Sequence, residues 1–239
     1  MNSLFKGIAD LFFPPRCLSC HELLISGESG GFCPKCLQRI SFLSPPICAS
    51  CGAPLSPEAG KDALCLRCAA TRPPFERCRS VGRYETVLLE AIHDLKYRGV
   101  IAAGAILGNL LASCVRVSLP VEEYDRILPV PLHRKRLRER GFNQSLLLAE
   151  VLAREFSLTL DFQSLRRRVH TSPQIGLGKG ERSVNVRNAF EVVRKAEIEG
   201  SRILLVDDVY TTGSTVGECA RVLLEGGARS VSVATLARA

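Results

Sequence analysis

The stretch Ile203-Leu204-Leu205-Val206-Asp207-Asp208-Val209-Tyr210-Thr211-Thr212-Gly213-Ser214-Thr215 carries the sharpest chemical signal of the chain. Its apolar start has the composition of a strand buried on both faces, and two carboxylates close it. The Thr/Gly/Ser turn behind them leads into a helical pattern. Its backbone N–H groups and hydroxyls therefore converge at a helix N-terminus, which is a cradle for phosphate. Gly213 lets the backbone approach the anion closely. Carboxylates beside a bare phosphate would repel it, and a phosphorylated sugar resolves the conflict. Asp207 and Asp208 then accept hydrogen bonds from vicinal hydroxyls, while Thr211, Thr212, Gly213, Ser214 and Thr215 hold the 5′-phosphate. The competing reading is a tight strand-to-helix turn with an acidic end. A Walker A loop is excluded, because no Gly-Lys-Ser/Thr is present.

A second constellation runs from Leu128-Pro129-Val130-Pro131-Leu132-His133 through Arg134-Lys135-Arg136-Leu137-Arg138-Glu139 to Arg140-Gly141-Phe142-Asn143-Gln144-Ser145. It is strongly cationic and follows a short predicted strand over 126–130, where ligands of open α/β sheets bind. Arginine forks grip phosphate oxygens bidentately. Arg136 and Arg138 read as solvated surface charge. Arg140-Gly141-Phe142-Asn143-Gln144 is shaped as well as charged, with a turn glycine and Asn143 as a helix N-cap. His133 and His170 read as hydrogen-bonding surface residues.

Eleven cysteines are present, and eight of them form four Cys-x-x-Cys pairs: Cys17/Cys20, Cys33/Cys36, Cys48/Cys51 and Cys65/Cys68. Each such turn aims two thiolates at one tetrahedral ion, and two turns close a structural zinc site. A disulfide framework would need an oxidising compartment. Zinc is preferred to an iron–sulfur cluster, which the same ligands also hold. Sequential and interleaved pairings both remain open, and sequential pairing closes the shorter loops. Little apolar content lies between the pairs, so metal binding would supply the folding energy of this region. Chelation is expected to unfold residues 15–70 and leave the rest. Cys114 and Cys219 sit in apolar helical patterns as small packed hydrophobes, and His21 reads as a solvated neighbour of the first pair.

These groups need a frame. Residues 1–15 place Leu4, Phe5, Ile8, Leu11 and Phe12 at helical spacing, as a short amphipathic helix and not a signal peptide. The cysteine region covers 16–72, Thr71-Arg72-Pro73-Pro74 is a linker, and 78–239 forms the larger unit. There the pattern predicts strands over 78–84, 126–130, 189–193, 203–206 and 230–236. Helices are predicted over 85–95, 100–117, 143–156 and 215–225. Strands alternating with helices mean an α/β fold with a mostly parallel sheet flanked by helices. The chain has 239 residues, 46% hydrophobic and 23% charged, with net charge +8. Those are globular proportions, so wholesale disorder is excluded. No apolar run is long enough to span a bilayer, and a cytoplasmic location is expected.

The acidic-pair motif resembles the signature of type I phosphoribosyltransferases. The wider set is similar to the ComF (competence protein F, GntX-like) family, a double zinc ribbon joined to a type I phosphoribosyltransferase domain. That set is Leu95-Lys96-Tyr97-Arg98-Gly99, Pro129-Val130-Pro131-Leu132-His133, Arg140-Gly141-Phe142-Asn143-Gln144-Ser145, Thr171 with Gln174, Arg182 with Asn185, and the cysteine pairs. The resemblance implies binding of phosphoribosyl pyrophosphate with Mg²⁺. Asp207 and Asp208 would take the ribose and Thr211 to Thr215 its phosphate. Arg134, Arg140 and Lys96 would take the pyrophosphate, and Val130, Pro131, Leu132, Asn143 and Gln144 would also bind the substrate. Residues 168–187 would close as a lid bringing Arg182, Lys179 and Arg187 to the leaving group.

It also implies a part in DNA uptake and natural transformation, with DNA-uptake proteins as partners. Three functions remain: pentosyl transfer to an unknown nucleophile, single-stranded-DNA binding, and sensing of phosphoribosyl pyrophosphate without turnover. The basic charge suits DNA. An aromatic content of 6% with no Trp leaves few stacking platforms for bases.

Overall fold

The computed structural model describes residues 14–24, 31–98, 101–169 and 188–239. Residues 1–13 of the expected N-terminal helix and residues 170–187 of the expected lid, with Arg182 and His170, lie outside the described residues. Among the described residues, no helix is long and apolar enough to cross a membrane.

The cysteine region contributes two one-turn helices, α1 (Pro34–Gln38) and α2 (Leu66–Ala70). After the linker come β1 (Cys78–Arg83), α3 (Thr86–Tyr97), α4 (Ala102–Ser118), β2 (Arg126–Pro129), α5 (Arg134–Arg140), α6 (Gln144–Phe156) and β3 (Thr159–Leu160). A small antiparallel pair follows, β4 (Leu165–Arg167) with β5 (Phe190–Val192). The chain ends with α7 (Lys195–Ile198), β6 (Arg202–Tyr210), α8 (Ser214–Glu225) and β7 (Ser230–Arg238). The main sheet has the order β1-β7-β6-β2-β3, and all its pairings are parallel.

β6 and β7 are buried along nearly their whole length, as strands covered on both faces must be. Leu204, Val206, Ala234 and Leu236 belong to one core cluster with the apolar stripes of α3, α4 and α6. Ile203, Leu205, Val231 and Val233 belong to a second cluster with α8. α4 approaches α6 so closely that a Cβ on Gly108 would lie 2.6 Å from Val151 Cγ2. The chain leaves β3 on one side of β2 and returns as β6 on the other. The topological switch point therefore lies between β2 and β6, and the crevice beyond their carboxyl ends is where such sheets bind ligands.

The cysteine region is not a separate bead. Cys17, Phe32, Cys33, Cys36 and Ile40 share the first core cluster, and Cys48, Cys51 and Cys68 share the second. Its backbone also covers the outer edge of β1, with Cys78 N–H donating to Ser50 O, Leu43 N–H to Val81 O and Arg83 N–H to Ser41 O. An edge strand otherwise open to pairing is closed in this way.

The short elements β3, β4 and α7 were not expected from the sequence pattern, and two further differences bear on the site. The basic run after β2 is a helix, α5, where a loop was expected. His133 Nδ1 caps it by accepting from Lys135 N–H, and Gly141, at φ 82°, ends it. β6 runs on through the acidic pair to Tyr210, pairing Tyr210 with Arg238, so the connecting turn is only three residues long.

Candidate functional site

β6 outruns β2 by four residues, because Pro129 is the partner of Val206. Asp207 and Asp208 therefore lie beyond the end of β2, on a stretch of β6 paired with β7 alone. Both are buried, and each is met by a different element. Ser145 in the first turn of α6 donates its hydroxyl to Asp207 Oδ1 at 2.9 Å, and the backbone N–H of Asp208 donates to the same oxygen. Lys96 in the last turn of α3 places Nζ 2.7 Å from Asp208 Oδ2. Burial, and next the Asp208 carboxylate, push the Asp207 carboxyl up to about 7. Burial works against the charge on Lys96, but Asp208, with Asp207 and Tyr84 adding to it, holds the ammonium above its ordinary value.

Beyond Tyr210 the chain turns through Thr211, Thr212 and Gly213 into α8. Gly213 has φ 83°, the left-handed region, and serves as the N-cap residue. A Cβ there would lie 2.3 Å from the Tyr210 hydroxyl oxygen, so only glycine fits. The hydroxyls of Thr212 and Ser214 hydrogen-bond at 2.8 Å. The Ser214 N–H donates to Thr212 Oγ1 at 3.4 Å, and the loop presents its hydroxyls and the amides of the first turn of α8 together, the groups that hold a phosphate.

Across the switch point, Asn143 organises the basic loop. Its Oδ1 accepts from Ser145 N–H at 3.1 Å as the α6 N-cap, and its Nδ2 donates to Val130 O at 3.1 Å. Arg140 donates to Gln144 Oε1 and lies over the Tyr97 ring, 5.4 Å from its centroid. Lys96, Tyr97, Arg136, Arg140 and Phe142 line a pocket of about 220 Å³ with Glu139. Pro131, Leu132, Arg134 and Asn143 line a neighbouring groove of about 520 Å³ with Phe162, Arg166 and Arg167.

The eight cysteines gather as Cys17/Cys20/Cys33/Cys36 and Cys48/Cys51/Cys65/Cys68, with the ligand atoms of each group within 4.8 Å of one another. The Sγ atoms of Cys20 and Cys33 are 3.7 Å apart, as are those of Cys51 and Cys65. A zinc–sulfur bond of about 2.3 Å gives a tetrahedron with edges of about 3.8 Å, whereas a disulfide needs about 2.05 Å. Both Cys₄ clusters fit structural zinc. Cys78 and Cys219 are buried free thiols and Cys114 is half-buried. His21, expected as a solvated neighbour, lies 3.6 Å from Asp94 on α3 and 2.9 Å from Arg98, the residue that follows that helix.

The structure therefore brings Asp207, Asp208, Lys96 and the Thr211–Thr215 loop to one strand end, with Arg140, Asn143 and Gln144 across the crevice. Lys96, expected toward pyrophosphate, is ion-paired to Asp208 while also lining the cationic pocket. Arg136, read as surface charge, lines that pocket too. Ser145 belongs to the Asn143-Gln144-Ser145 run, but its direct contact to Asp207, 62 residues away, has no local signal in the sequence.

A double zinc ribbon domain matches residues 8–69, and a phosphoribosyl transferase domain matches residues 143–239. DNA utilization protein YhgH of Salmonella typhi is 37% identical over 238 residues, covering 95% of this chain and 99% of that protein. Competence protein F of Haemophilus influenzae is 33% identical over 232 residues, with the same coverage. Among solved structures, glutamine phosphoribosylpyrophosphate amidotransferase from B. subtilis aligns with 56% of this chain at 24% identity and TM-score 0.39. The match spans 26% of the amidotransferase chain.

Proposed function

Because the chain belongs to the ComF (competence protein F) family, a double zinc ribbon joined to a type I phosphoribosyltransferase fold, we propose that it binds phosphoribosyl pyrophosphate with Mg²⁺ across the β2–β6 crevice and acts in DNA uptake. One observation carries the reading. The buried acidic pair at the end of β6, the Thr211–Thr215 loop beside it and the cationic pocket of Lys96, Arg136 and Arg140 meet at the switch point. A ribose with phosphate at one end and pyrophosphate at the other has that charge pattern.

In this reading Asp207 and Asp208 accept from the ribose hydroxyls and orient the ring. The Thr211–Thr215 loop fixes the 5′-phosphate, and Arg140 and Lys96 face the pyrophosphate. Mg²⁺, which takes substrate oxygens and waters more than protein ligands, would neutralise charge on the pyrophosphate. The reaction class is displacement of pyrophosphate from the anomeric carbon by a nitrogen nucleophile. The C–O bond breaks, a C–N bond forms, and the nucleophile gives up its proton. Eight cysteines gathered as two metal-type Cys₄ clusters suit a reducing compartment, and on that ground we propose a cytoplasmic location.

Calorimetric titration of the zinc-loaded protein with phosphoribosyl pyrophosphate and Mg²⁺ tests the proposal. Saturable binding is expected, abolished in the double variant Asp207→Asn, Asp208→Asn with the fold retained. Unchanged affinity in that variant would reject the site. A second reading, single-stranded DNA, is favoured by the 520 Å³ groove, which sets half-exposed Phe162 beside Arg134, Arg166 and Arg167. Salt-dependent binding of a labelled oligonucleotide that weakens in Phe162→Ala would support it.

A further inference from the structure

Among the described residues, it is the second Cys₄ cluster whose neighbours reach into the phosphate loop. Arg67 is one of the two residues enclosed by the Cys65/Cys68 pair, so a metal that closes the pair also fixes the backbone that carries Arg67. Its Nη1 donates to Thr212 O at 3.3 Å. Within a planar trans peptide, C=O and N–H point opposite ways. A Thr212 carbonyl held toward Arg67 therefore turns the Gly213 N–H away from the ribbon. A second grip lies beneath the loop. Arg238, at the end of β7, donates to Cys51 O at 2.7 Å and comes within 3.4 Å of Cys51 Sγ. Its guanidinium lies 4.4 Å from the centroid of the Tyr210 ring. That ring is the surface on which Gly213 sits.

We propose that the second cluster positions the phosphate loop through Arg67 and Arg238, so that metal at Cys48/Cys51/Cys65/Cys68 and a sugar phosphate at Thr211–Thr215 favour each other's binding. This rests on the phosphate reading of the loop. Linkage is reciprocal: if the metal orders the loop for the ligand, the ligand must retain the metal by the same factor. Arg67 is a positioning residue here, and its effect is readable at the metal, remote from any chemistry on the sugar.

The test uses the full chain loaded with zinc. Calorimetry first establishes that phosphoribosyl pyrophosphate with Mg²⁺ binds. Zinc release to a zinc-selective chromophoric chelator is then followed with and without that ligand. Freed thiols are trapped by alkylation and located by peptide mass spectrometry. At equilibrium with the chelator, saturating ligand is expected to tighten zinc at the second cluster roughly ten-fold, within the usual range of couplings, and to leave the first cluster unchanged. Arg67→Ala is expected to keep both zinc ions, weaken the ligand several-fold and lose the protection, and Arg67→Lys to recover part of it. Ligand that binds without protecting the second cluster, or that protects both clusters equally, overturns the coupling while leaving the phosphate site standing. Absence of calorimetric binding overturns the site reading, and the coupling with it.

Discussion

Replacing Lys96 with methionine asks what keeps two buried carboxylates at the end of β6. The ammonium lies 2.7 Å from Asp208 Oδ2, and the two side chains are only 16% and 7% exposed. Methionine keeps most of the aliphatic stem and deletes the charge, leaving an anion where water hardly reaches. Stranding one member of a buried pair costs about 3–5 kcal/mol. A ceiling acts from the other side, because the variant can take up a proton instead. Neutralising a carboxyl of ordinary pKa, about 3.9, requires about 4 kcal/mol at pH 7 and about 1.5 kcal/mol at pH 5. Lys96→Met is therefore expected to lose about 3–4 kcal/mol at pH 7 and at most about 1.5 kcal/mol at pH 5. Urea unfolding of the zinc-loaded chain, wild type beside variant at both pH values, measures this, since acid effects on the thiolates cancel in the difference. A loss equal at the two pH values, or below about 1 kcal/mol at pH 7 as for a surface pair, would refute the reasoning.

Gly213→Ala forces a side chain into the left-handed region and onto the Tyr210 hydroxyl. It is expected to cost about 1–3 kcal/mol in thermal unfolding and to weaken sugar-phosphate binding more than ten-fold by calorimetry. Asp207, held near 7, keeps its proton below that pH in the ligand-free protein, whereas the ribose and Mg²⁺ require the carboxylate. Affinity should therefore rise as pH rises through about 7 and then level, with proton release visible as a buffer-dependent binding enthalpy that Asp207→Asn removes. Chelation of both clusters will not leave 78–239 intact, as the sequence alone suggested, because cysteines of both clusters share the two core clusters with the sheet. Hydrogen exchange should quicken at Cys78 and Arg83, whose amides donate to Ser50 and Ser41 of the ribbon.

Periodic elements were legible in the sequence. The apolar stripe of α3, the Asn143 cap of α6, and the strand–turn–helix of β6 and α8 each carry their own local pattern. α5 was not legible, because one Leu137 stands among six charged residues and its boundaries come from a His133 cap and a left-handed Gly141. The run of β6 through two aspartates was hidden by the poor strand propensity of Asp, which pairing with β7 overrides. The residue types of the site were legible, but their partners were not. Ser145 reaches Asp207 across 62 residues, Arg67 reaches Thr212 across 145, and Arg238 reaches Cys51 across 187. No local spacing signals such contacts. They exist because the ribbon closes the β1 edge and the switch point brings α6 against β6.

The same contacts explain how an acidic site can rest without its ligand. Asp207 is supported by Ser145, by the Asp208 amide and by a proton that burial retains. Asp208 is supported by Lys96 alone among the cations of the pocket. Lys96 also lines the pocket that Arg136 and Arg140 share, so it stands between the carboxylates and the place a pyrophosphate would occupy. A ligand that brings hydroxyls and a divalent cation to the carboxylates, and anions to the pocket, satisfies both sides of that lysine at once. A bare phosphate would satisfy only the pocket side, and a bare cation only the carboxylate side. The arrangement thus discriminates for a ligand carrying both, which is the charge pattern of a metal-bound sugar pyrophosphate and not of its separate parts.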